Sequence, residues 1–80
     1  MAIEMERARA NVERLGAIAH QTSDDEQRAF RRLDSVERAT GRTDSELLDM
    51  WYRADNRATD AYNVWQDAQR ELYALQSLGN

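Results

Sequence analysis

Thr40-Gly41-Arg42-Thr43-Asp44-Ser45-Glu46 is the stretch that decides the fold. Gly41 can take the left-handed backbone that closes a helix, and Thr43-Asp44-Ser45-Glu46 has the capping-box pattern that opens one, with Thr43 at the N-cap. An apolar heptad runs away from this punctuation in both directions. Before it stand Met5, Ala8, Val12, Leu15, Ala19, Thr22, Glu26, Ala29, Leu33, Val36 and Thr40; after it stand Leu47, Trp51, Ala54, Ala58, Ala61, Trp65, Ala68, Leu72 and Leu75. Spacings alternate three and four throughout, which places each set on one helix face. The pattern predicts an all-α chain: a long, coiled-coil-like antiparallel helical hairpin forming one domain over 1–80, with arm 1 near 2–40, a turn at 41–43 and arm 2 near 44–78.

The first arm offers one alternative. Ser23-Asp24-Asp25-Glu26 is a second capping box, and a break near 22–25 would give three helices over about 2–21, 24–40 and 44–78. The heptad phase passes through these residues unchanged and no glycine or proline interrupts them, so one long first helix is favoured. A further glycine, Gly79, follows arm 2 and is expected as its C-cap.

Folding at the turn pairs residues whose numbers sum to about 84. Leu33 then faces Trp51, Phe30 faces Ala54, Ala19 faces Trp65, Val12 faces Leu72 and Met5 faces Leu78. Large residues repeatedly oppose small ones, and Ala54, Ala58, Ala61 and Ala68 permit close helix approach. Both arms turn polar at the same height, in a waist of Asp24, Asp25, Glu26, Arg28, Asp55, Arg57 and Asp60. Glu26 occupies a seam position there and needs a partner, for which Arg57 is the nearest candidate. His20 and Asp24, four apart on one face, have metal-ligand spacing. A single histidine, the absence of a Glu-x-x-His pair and the lack of cysteine point instead to a polar layer that sets register, with His20 a surface residue.

Apolar residues also lie beside the seam. Leu48, Met50, Tyr62, Val64 and Leu78 widen the stripe of arm 2, Tyr52 and Tyr73 lie off it, and Ile3, Ala10 and Ala17 form a separate row on arm 1. A helix with more than one apolar face expects more than one neighbour. These ten residues are the candidate interface, concentrated toward the half that carries both chain ends. Trp51 and Trp65, two heptads apart on the seam, read as core residues rather than ligand platforms.

Composition narrows the function. The net charge is −4 with acids and bases interleaved, which disfavours general affinity for nucleic acid or anionic membranes. All eleven basic residues are arginine, a composition typical of a GC-rich bacterial or phage genome. Arg28, Arg31, Arg38 and Arg42, with Arg32 beside them, make the one basic stripe, interrupted by Asp34 and Glu37. There is no nucleophile signature, phosphate-cradling loop or cysteine, no apolar run that spans a membrane and no secretory leader pattern. The expectation is a non-catalytic interaction protein without cofactor or metal, cytoplasmic or a virion component. It would assemble with itself, as a dimer or higher species, or dock on another protein through the apolar flanks. The alternatives are a small acidic regulator or phage-type inhibitor of a protein partner and, third, a nucleic-acid-binding hairpin using the Arg28–Arg42 stripe.

Overall fold

The computed structural model describes residues 2–78, and the expected Gly79 cap lies outside them. Two α-helices account for the described residues apart from the turn: α1, Ala2–Thr40, and α2, Ser45–Leu78. They run antiparallel and pack along their whole length. The result is a rod with principal extents of 59 × 15 × 13 Å. Its radius of gyration is 17.9 Å, against about 12 Å for a compact globule of 80 residues.

The first arm is a single helix through 22–26. Thr22, a weak helix former, returns its hydroxyl to the Ile18 and Ala19 carbonyls at 2.9 and 3.0 Å, so its side chain bonds within the helix instead of ending it. The Glu26 carboxylate, which a capping box would turn back on Ser23, reaches across to α2 instead.

The turn closes α1 as expected and opens α2 one residue later than expected. Gly41 has φ +69° and its N–H donates to the Glu37 carbonyl at 2.8 Å, the single-bond left-handed closure. Asp44, not Thr43, is the N-cap. Its Oδ1 accepts the Leu47 N–H at 3.0 Å, and its carbonyl accepts the first helical bond from Leu48 at 2.9 Å. The Thr43 hydroxyl is engaged elsewhere, 3.1 Å from Glu37 Oε1, and ties the turn to the last turns of α1.

The clefts along the rod fix the register. Ala8 and Leu75 line one, Ala29 and Ala54 another, Glu26 and Ala58 a third. These pairs sum to 83 or 84, the register read from the turn. The buried hydrophobic residues are Ala19, Leu33, Ala54 and Ala68. Three alanines and one leucine are what two helices alone can enclose when each has a single neighbour. The larger seam residues, Val12, Leu15, Trp51, Trp65, Leu72 and Leu75, are half-buried.

Candidate protein interface

Apart from Ile3, which stands in the separate outer row of α1, the exposed large hydrophobic side chains divide by chemistry between the two sides of the seam. On one side they are aromatic. Phe30 packs on Trp51 with ring centroids 5.7 Å apart, and Tyr52 lies 5.1 Å from Trp51. Further along, Trp65 meets His20 edge-on at 5.7 Å and Tyr62 at 6.1 Å. The Tyr62 hydroxyl accepts a 2.7 Å hydrogen bond from Gln66 Nε2. Tyr73, three heptads beyond Tyr52 on the same row, is exposed.

On the opposite side the exposed side chains are aliphatic. Ile18 belongs to the α1 row Glu4, Asn11, Ile18, Asp25, Arg32, and α2 contributes the row Met50, Arg57, Val64, Glu71, Leu78. Two shallow clefts of about 420 and 410 Å³ open along these rows. The first is lined by Glu4, Arg7, Asn11 and Glu71, the second by Asp25, Arg28, Arg32, Arg53 and Arg57 over a floor of Ala29, Ala54 and Met50. Ile18 and Val64 stand midway between them. Exposure in the aliphatic set runs from 41% at Ile18 to 81% at Leu78.

Of the ten interface candidates, Ile3, Ala10, Ala17, Met50, Tyr52, Tyr62, Val64, Tyr73 and Leu78 are exposed, and Leu48 is half-buried. Ile18 and Phe30 join them although the sequence pattern did not place them there. Phe30, aligned with the core opposite Ala54, lies one position to the side and is 48% exposed. With Met50 and Tyr52, it carries the apolar surface into the turn half of the rod. A heptad count that tested the rows beside the seam as well as the seam itself would have found Ile18.

The waist is split between the two sides. Asp25, Arg28 and Arg57 face the aliphatic side, Glu26 and Asp55 line a cleft on the aromatic side, and Asp24 and Asp60 are exposed. The partner of Glu26 is therefore Trp51, whose Nε1–H donates to Oε1 at 2.7 Å, and not Arg57, which lies across the seam. Arg28 pairs with Asp25 on its own helix. His20 donates from Nδ1 to the Gly16 carbonyl at 2.7 Å and does not converge with Asp24. Among the described residues no three His, Asp or Glu side chains stand together as a metal site. The arginine stripe is similarly divided, since Arg38 pairs with Asp34 at 3.1 Å while Arg28 and Arg32 turn to the cleft.

No helix of the described residues is long and apolar enough to cross a membrane. The chain matches no family model, no curated protein and no solved structure.

Proposed function

We propose that this hairpin is a non-catalytic assembly protein that self-associates into a helical bundle through its exposed apolar flanks. The observation that carries the reading is an inversion of the usual burial pattern. Among the described residues nine large hydrophobic side chains are exposed, while the buried set is three alanines and a leucine. The rod exposes 6305 Å², against about 5,000 Å² for a folded monomer of this mass. A two-helix rod with so small a core gains stability most directly by covering a second face.

Light scattering after gel filtration, over a hundredfold concentration range, tests this. A dimer or larger species that dissociates on dilution supports it. A helical monomer at every concentration refutes it and makes the same side chains the surface for a different protein.

A further inference from the structure

We infer that the aliphatic side of the rod is a self-complementary surface, occupied by a second copy of the chain running antiparallel about a two-fold axis at Ile18 and Val64. The inference rests on self-association and adds to it a face, a direction and a register.

Both rows on this side are palindromic in chemistry. A two-fold axis across the rod at Ile18 exchanges Glu4 with Arg32 and Asn11 with Asp25. The same axis at Val64, which lies beside Ile18 in the hairpin register, exchanges Arg57 with Glu71 and Met50 with Leu78. Each residue thus meets a suitable mate: acid with base, amide with acid, thioether with isobutyl group, and Ile18 and Val64 with their own copies. The heptad makes this possible because members of one row sit at equal steps on either side of the axis.

Ion pairing within the hairpin engages Asp25 of these rows but leaves their other charged members unused. Arg28 pairs with Asp25, Arg53 with Asp49 at 3.0 Å, Arg38 with Asp34 and Arg70 with Asp67. Among the described residues Arg32, Arg57, Glu4 and Glu71 enter no ion pair. Of the four arginines around one cleft, Arg28 and Arg53 are neutralised by Asp25 and Asp49, and the two left over, Arg32 and Arg57, repel one another until an external carboxylate relieves them. Within one chain Arg57 and Glu71 stand fourteen residues apart on a helix, about 21 Å, and cannot meet.

Charge also sets the direction. A two-fold axis along the rod would stack each arginine-lined cleft on its own copy, bringing the unpaired Arg32 and Arg57 of both copies, four guanidinium groups, together. The crosswise axis lays that cleft over the one holding Glu4 and Glu71. Arg7 and Asp60 are the like-charged exceptions, since this arrangement brings them near Arg28 and Asp67 of the second copy. From Glu4 to Arg32 the contact runs about 42 Å. With a rod 15 Å wide, it covers on the order of 600 Å² of each copy, at the lower end for a specific protein interface.

Charge reversal and cross-linking test the arrangement. Arg57→Glu or Glu71→Arg alone sets like charges opposite one another and is expected to raise the dimer dissociation constant about tenfold or more. An equimolar mixture of the two variants is expected to restore association as a heterodimer, because each supplies the charge that the other now needs. The chain has no cysteine, so Val64→Cys reports cleanly. It is expected to form a disulfide-linked dimer under mild oxidation, whereas Tyr73→Cys on the aromatic side is not. Circular dichroism verifies that each variant keeps its helices. A wild-type dimer in which Tyr73→Cys cross-links and Val64→Cys does not, or in which both single reversals leave the dissociation constant unchanged, overturns the face and register and leaves self-association standing. A wild-type monomer overturns both.

Discussion

Gly16 leaves the space that the indole edge of Trp65 occupies: a Cβ built on Gly16 would lie 3.0 Å from Trp65 Nε1 and 3.2 Å from Cε2. This glycine sits in the middle of a 39-residue helix, where alanine would normally be preferred by about 1 kcal/mol. Close approach to the tryptophan is the reason it is tolerated. Nε1 itself is buried with no hydrogen-bond partner among the described residues, so the contact is one of shape.

Gly16→Ala therefore sets a propensity gain of about 1 kcal/mol against overpacking of about 1–3 kcal/mol. The expected outcome in urea denaturation is a net loss of about 1 kcal/mol. In a Trp65→Phe background, which removes the crowded edge, the same change should become neutral or stabilising. A stabilising Gly16→Ala in the wild-type chain would show that Trp65 moves aside without cost.

The hydrogen bond between Trp51 and Glu26 links the two arms at mid-length. Trp51→Phe removes the donor and leaves a half-buried carboxylate unpartnered, with an expected cost of about 1–2 kcal/mol. Glu26→Gln keeps an acceptor oxygen and should cost less. A double-mutant cycle by denaturation should return a coupling of about 1 kcal/mol, and a coupling near zero would show that the bond is not formed in solution.

Asp44 and Thr43 make opposite predictions from neighbouring positions. Asp44→Ala removes the cap on Leu47 N–H and should cost about 1 kcal/mol. Thr43→Ala loses one exposed bond to Glu37, worth about 0.5 kcal/mol or less. Thermal unfolding of the two variants, compared directly, distinguishes them; a larger loss at Thr43 would return the cap to that residue.

Gly41→Ala should cost about 1–2 kcal/mol through its left-handed backbone. Among the described residues no other atom lies near enough to obstruct a methyl group. Gly41→Asn, which tolerates that conformation better, should recover part of the loss. Equal losses for both would point to a cause other than backbone strain.

The helices, the turn and the register were legible because each rests on periodicity or on the backbone chemistry of one residue. Gly41 closes α1 for the reason its sequence position implies. The neighbouring cap shifted from Thr43 to Asp44 because both are favoured N-cap residues and local geometry chooses between them, although only Thr43 has a Glu three residues on. Heptad counting located Glu26 on the seam but named Arg57 as its partner, since it records height along the rod and not side. The indole of Trp51 reaches diagonally along the seam, farther than any same-height pairing allows. Phe30 and Ile18 escaped for a related reason: a stripe of width one cannot separate a seam residue from its flank. Gly16 gave no signal, because a helical glycine reveals its purpose only once the ring beside it is known.

The hairpin places the first turns of α1 beside the last turns of α2, as the shared lining of Glu4, Ala8, Glu71 and Leu75 records. Tension applied to the two strand ends of such a rod meets its packing layers one at a time, as a zipper does, instead of loading them all in shear. Loop closure follows the same gradient, cheapest beside Gly41 and dearest at the far end. The chain should accordingly close from the turn outward and peel from the opposite end, with amide protection rising steadily toward Leu33 and Ala54.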